Sequence, residues 1–171
     1  MSVFDDVFSE YGAVVQDIQL AKMKNKSSGT MAYYDSEDNI AINESYFNSK
    51  KMDKAYAECV KSGFHPSNGN KTGLQAVVAH ELGHKLTNDV SVKLGNSGWT
   101  KYKDTAKLIC EEARKKTGHK GVIKMAEKIS GYAKYSNSEC IAEAFSDVFC
   151  NGKKAHKESL AIVDVINSYL K

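Results

Sequence analysis

The sequence holds five histidines, and two of them, His80 and His84, stand four apart on either side of Glu81-Leu82-Gly83. On an α-helix four residues advance about 400°, so both imidazoles leave nearly the same face and can reach one metal ion. Glu81 sits beside them, where its carboxylate can hold the metal's water without being a ligand. This H-E-x-x-H order suits a hydrolytic zinc centre of the peptidase type, with two histidine ligands and the glutamate as general base.

The pattern requires a helix, and the flanking residues supply one. Thr72 followed by Gln75 has the spacing of a capping box. Leu74, Val77, Val78, Leu82 and Leu86 give an apolar side for packing against a core. Gly83 costs roughly 1 kcal/mol in a helix interior, so its place between the histidines calls for a second backbone approaching closely there.

A catalytic zinc usually has three protein ligands and a water. No third histidine follows at the spacing of H-E-x-x-H-x-x-G-x-x-H; Asn88 and Asp89 occupy that region. Glu139 and Glu143 are the downstream candidates, four apart on one face of a helix that Ser136 can cap. Burying two unpaired carboxylates is costly. One as ligand and the other hydrogen-bonded to a ligand histidine satisfies both. Asp147, a turn further on, is a lesser candidate for outer support.

These segments also carry a resemblance. His80–His84, with Ile129-Ser130-Gly131-Tyr132 and Glu139-Cys140-Ile141-Ala142-Glu143-Ala144-Phe145, resembles the catalytic domain of anthrax lethal factor. It is similar too to the secreted Pro-Pro endopeptidases and related phage-encoded proteins, a gluzincin-type group. The resemblance covers residues 74–149 best. H-E-x-x-H alone is common to many peptidases; its combination with Y-x6-E-x-x-A-E is far more specific. It implies that Glu139 is the third Zn²⁺ ligand, that Glu143 supports the site, and that Tyr132 faces the reacting carbonyl. Cys140 stands where relatives often have an aromatic residue, which alters packing. The implied activity is zinc-dependent endopeptidase action on a protein or peptide substrate. Two other readings remain open. One is a short cytosolic metallopeptidase that cleaves phage-type repressors, although the apolar ending typical of that group is missing here. The other is a non-catalytic structural or virion-associated protein with a retained zinc site.

Length and composition frame this chemistry. The 171 residues suit one zincin-like domain spanning 1–171 with a real core. A net charge of +3 is too small to argue for nucleic acid or an anionic membrane. Lysines such as Lys22, Lys24, Lys26, Lys50, Lys51 and Lys54 read as a solvated face. No apolar run approaches the ~18 residues of a membrane span. Cys59, Cys110, Cys140 and Cys150 form no C-x-x-C pair and are expected reduced and buried. MSVFDDVFSEYG lacks the basic and apolar regions of a signal peptide. The expected setting is therefore the cytoplasm or a virion, with non-classical export as the other route. The chain is expected to be a monomer or a domain of a larger protein.

The expected fold class is α+β: a small N-terminal sheet packed on the metal-binding helix, then a helical C-terminal part. Apolar spacing predicts a helix over 3–11, a strand within 14–23, a polar turn over 24–29 and a hairpin of 30–34 with 39–43. Further helices are expected over 52–62, 104–116, 122–129, 139–149 and 156–170, with a break at 95–98. His65, in the loop holding the only proline, Pro66, is expected at the surface, and His119 in solvent. Trp99 is expected to pack on the core.

Overall fold

The computed structural model describes every residue except 1–2, 24–28, 36 and 97, together with all side chains among them but that of Phe4. Lys24, Lys26 and most of the polar turn expected over 24–29 therefore lie outside the described residues. The chain is α+β and mostly helical, with one three-stranded sheet near its start.

Helix α1 (Val3–Tyr11) ends at Gly12, whose left-handed backbone (φ +66°) lets its N–H reach back to the Phe8 carbonyl. Strands β1 (Asp17–Ala21), β2 (Ala32–Tyr34) and β3 (Asn39–Asn43) follow in the order β1-β3-β2. β3 is central, parallel to β1 and antiparallel to β2. The Asp35 carboxylate accepts from the backbone N–H groups of Glu37 and Asn39, which closes the expected hairpin. Burial follows position in the sheet. Ile40, Ala41 and Ile42 of β3 are buried, whereas Ile18 and Leu20 of edge strand β1 stay exposed.

Helix α2 (Ser49–Lys61) starts three residues earlier than its apolar spacing predicts, because the Asn48 side chain caps the Lys50 and Lys51 N–H groups. Helix α3 (Gly73–Lys93) begins with both halves of the Thr72–Gln75 capping box and continues past the residues 72–88 that suggested it. An apolar side was expected, yet α3 is buried nearly all round, including Lys85, Thr87 and Ser91. The cause is its central position, packed by β2, α2, α4 (Trp99–Thr117), α6 (Asn137–Asn151) and α7 (Lys157–Leu170). Its buried polar groups are satisfied: Lys85 pairs with Asp89 and Asp38, and the Thr87 hydroxyl donates to the Gly83 carbonyl.

The closest helix contact is α3 on α6. A Cβ built at Gly83 would lie 2.7 Å from the Ala142 Cα and 3.2 Å from the Phe145 Cβ. The close backbone approach expected at Gly83 is thus present, and its partner is the helix that carries Glu139 and Glu143. Leu82, Leu86, Val90, Ile109, Ile141, Ile162 and Ile166 form the centre of one core cluster joining these helices. Helix α5 (Val122–Ala126) is shorter than the 122–129 expected, since Lys128 and Ile129 turn back with i→i−3 bonds instead. Cys110, Cys140 and Cys150 are buried, Cys59 is half-buried, and all four are free thiols. No described helix is long and apolar enough to cross a membrane.

Three expectations about single residues are corrected here. Trp99 does not pack on the core; it begins α4 as an exposed residue stacked on Tyr102. His119 is not free in solvent, because its Nε2 bonds the buried Glu158 carboxylate at 2.8 Å. Asp147 gives no support near His80: its carboxylate takes the His156 N–H and ring and the Asn151 amide, tying the start of α7 to α6.

Candidate metal centre

His80, His84 and Glu139 present one ligand atom each, all within 4.8 Å of one another, so together they can hold a metal ion. α3 supplies the two imidazoles, whose ring centroids are 5.0 Å apart. α6 supplies the carboxylate. The Ser136 hydroxyl caps the Glu139 N–H at 3.1 Å, which completes half of a capping box. The Glu139 side chain does not turn back to complete the other half; it reaches across to α3. Its Oε2 lies 3.1 Å from His80 Nε2 and 3.5 Å from His84 Nε2. That oxygen is buried and has no hydrogen bond of acceptable geometry.

The other ring nitrogens are already engaged. His80 Nδ1 lies 2.8 Å from Glu143 Oε1, and His84 Nδ1 lies 3.0 Å from the Tyr102 hydroxyl. The Glu143 carboxylate only accepts, so a neutral His80 carries its proton on Nδ1; the Tyr102 hydroxyl can donate or accept, and when it accepts from a neutral His84 both Nε2 lone pairs point at Glu139. Two lone pairs and an orphaned carboxylate oxygen meeting in a buried space are three acceptors without a donor. A cation resolves that arrangement.

Glu143 is almost wholly buried and is held from three sides. Oε1 accepts from His65 Nδ1 at 2.9 Å as well as from His80, and Oε2 accepts from the Ser130 hydroxyl at 2.7 Å. Burial pushes its pKa up, but His65 and His80 override that and bring it down to about 2. For Glu139, burial likewise opposes ionisation, and His80 and His84 beside it carry the pKa well below the usual carboxylate range. Burial works against a charge on His80 too, yet Glu139 and Glu143 raise its pKa well above the ordinary value. The pocket therefore favours positive charge at this point, whether a second proton on His80 or a cation held between the three groups.

Comparison with protein-family models, curated proteins and solved structures finds no match to this chain.

Glu81 is buried beside the ligand set and lines the same cleft. Burial raises its pKa, against the lowering effect of His80 and His84, while the Tyr34 backbone holds the carboxylate by a hydrogen bond. Tyr132 stacks on the His80 ring, with centroids 5.8 Å apart and planes at 19°. Its segment is fixed by N–H donation from Gly131 to the Gly63 carbonyl (2.7 Å) and from Tyr132 to the Phe64 carbonyl (3.0 Å). Burial, then the charge of Glu139, raises the Tyr132 pKa, so its hydroxyl remains a donor at neutral pH. The cleft above these groups measures about 440 Å³ and is bounded by β2 on one side and by Trp99, Tyr102 and Ser138 on the other.

Six of the residues singled out from the sequence, His80, Glu81, His84, Tyr132, Glu139 and Glu143, thus lie in one place, and Asp147 lies apart from them. Sequence reasoning missed three more. His65 was expected at the surface; it is mostly buried, stacked on Tyr56 at 5.2 Å and bonded to Glu143. Tyr102 and Ser130 were given no role. His65 and Tyr102 carry no local signal, since they meet their partners 78 and 18 residues away in sequence. Ser130 stood within the segment of the lethal-factor resemblance, two residues before Tyr132, the one signal that could have drawn attention to it.

Proposed function

We propose that this chain is a zincin-like, lethal-factor-like endopeptidase that hydrolyses a peptide bond at a zinc centre of His80, His84 and Glu139. The observation that carries this reading is the convergence of three acceptor atoms next to a fourth buried group, Glu81, that is not among them. Tetrahedral zinc with bonds of about 2.0–2.2 Å to N and O needs ligand atoms roughly 3.4 Å apart. The separations of 3.1 and 3.5 Å from Glu139 to the two imidazoles agree with this, and the imidazole pair lies within 4.8 Å. Among the described residues three ligands converge and not four, which suits a centre with an open position rather than a closed structural one.

Bound there, zinc would polarise the scissile carbonyl and make a water acidic at neutral pH. Glu81 takes the proton from the attacking water and passes it to the leaving amine. Its buried position beside the three ligand groups fits that double duty. Tyr132 donates a hydrogen bond to the oxygen on which charge develops. Glu143, braced by His65 and Ser130, holds His80 in the tautomer that leaves Nε2 free, and Tyr102 does the same for His84. β2 is the sheet edge that lines the cleft, and an extended polypeptide can align along such an edge by backbone pairing.

Elemental analysis of the purified chain beside Glu139→Ala tests the ligand set. The expected result is about one zinc per wild-type chain and little in the variant. Full retention in Glu139→Ala would move the third ligand elsewhere, and no zinc after reconstitution would end the proposal. Wild type and Glu81→Gln are then compared on a peptide library by mass spectrometry, with cleavage expected only from the wild type.

A further inference from the structure

The cleft does not stop at the ligands. Trp99, Ser138 and Glu139 line it and also line a second hollow of about 590 Å³, which runs on between α4, α5 and residues 133–139. Three large side chains stand on this hollow in contact with water: Trp99 at 66 % exposure, Ile123 at 63 % and Tyr135 at 72 %. Leaving a side chain of this size exposed forgoes the free energy of burying it. Single exposed apolar residues need no explanation, but a group lining one hollow marks a binding surface.

Two features show what the hollow fits. Lys103 and Lys134 line it, and Glu139 is its only acid among the described residues, turned toward the imidazoles. The free charge is thus positive. Trp99 is also held in place: its ring stacks on Tyr102 at 5.1 Å and 11°, and the Lys103 ammonium lies 5.1 Å from the indole centroid. Tyr102 is in turn fixed on His84. An aromatic surface already ordered this way loses little entropy when it is covered.

We infer that this hollow seats the substrate on one side of the cleaved bond, selecting a polypeptide with an aromatic or large aliphatic side chain flanked by acidic residues. The apolar side chain lies against Trp99, Ile123 and Tyr135, and the acids face Lys103 and Lys134. This selection rests on the peptidase reading, since it is the shared wall at Glu139 that makes the hollow an extension of the cleft.

Trp99 is the only tryptophan of the chain, so its fluorescence reports occupancy of the hollow without any turnover. The zinc-treated Glu81→Gln chain is titrated with a blocked octapeptide carrying one phenylalanine between aspartates in a glycine–serine background. Its Phe→Ala and Asp→Lys counterparts are run in parallel. The first peptide is expected to give a saturable shift of Trp99 emission. The counterparts, and the Tyr135→Ala and Lys134→Glu variants with the first peptide, should bind about tenfold or more weakly, as befits the loss of one buried side chain or charge contact. No response, or equal responses to all three peptides, overturns the inference. Binding by Glu81→Gln with no cleavage of any library peptide by the wild type would refute the peptidase reading instead. Cleavage without the acidic–apolar preference would refute the selection alone.

Discussion

Gly83→Ala puts the contact on which the whole site depends under strain. The new Cβ would sit 2.7 Å from the Ala142 Cα, and ordinary contact begins at 3.4 Å, so α3 and α6 must part by about 0.7 Å. The obstructing atom is backbone and cannot swing away. Overpacking of this kind costs about 1–3 kcal/mol. Alanine recovers roughly 1 kcal/mol of helix propensity over glycine. The net loss should therefore be about 0–2 kcal/mol, or a fall in Tm of up to roughly 8 °C for a chain of this size. The same displacement separates the histidines of α3 from Glu139 on α6, and metal–ligand distances tolerate only about ±0.2 Å. Zinc affinity should drop by roughly tenfold or more, a larger change than the stability loss alone would suggest. Thermal unfolding by circular dichroism and competition with a chelating indicator measure the two effects. Gly121→Ala is the control, because nothing lies within 4 Å of a Cβ there and its backbone is extended. A Gly83→Ala protein with unchanged Tm and unchanged zinc affinity would refute the argument that this glycine sets the distance between the ligand-bearing helices.

Other substitutions separate the roles around the site. Tyr132→Phe should keep zinc and fold but lose turnover ~100-fold or more, because one donor to a developing oxyanion is worth roughly 2.7–4 kcal/mol; steady-state kinetics on a cleaved library peptide with normal kcat would remove Tyr132 from the mechanism. Tyr102→Phe removes the partner of His84 Nδ1 and should weaken zinc binding about 10–100-fold without displacing the ring, which equilibrium dialysis can measure; unaltered affinity would leave Tyr102 as packing only. Thr72→Ala breaks the capping box at the start of α3 and should cost ~1 kcal/mol, with zinc affinity unchanged in the folded protein. A loss of zinc from that variant below its Tm would show that the cap also sets ligand geometry.

The placement of the groups gives a division of labour between the two helices. α3 carries both imidazoles and Glu81 in one run of five residues, which fixes their mutual directions by helix geometry alone. α6 supplies two carboxylates one turn apart, and they reach opposite nitrogens of the same imidazole: Glu139 faces His80 Nε2 and Glu143 faces His80 Nδ1. The first is half-buried beside the cleft, and the second is shut away from water. That difference in exposure separates a candidate ligand at the cleft from a fixed hydrogen-bond acceptor.

The sequence by itself determined whatever lies within one or two helical turns. The Thr72–Gln75 cap, the common face of His80 and His84, the need for a close neighbour at Gly83 and the common face of Glu139 and Glu143 all follow from a period of 3.6 residues. It also showed the hairpin of 30–34 with 39–43, through two short strand-like runs either side of a polar turn. Tertiary structure decided the rest. The spacing of four left open which glutamate faces Nε2, because that depends on where α6 crosses α3. His65 could be read as a loop residue at the surface because its bond to Glu143 spans 78 positions, beyond any local pattern. Trp99 was expected inside on hydrophobicity alone, yet it is exposed: the core beneath α4 is filled by Tyr102, Ala106, Ile109 and Ala113, which share its inner face, and the indole begins the helix at the cleft. Local periodicity specifies the direction in which a side chain leaves its own helix; only the packing of one element on another determines what it meets.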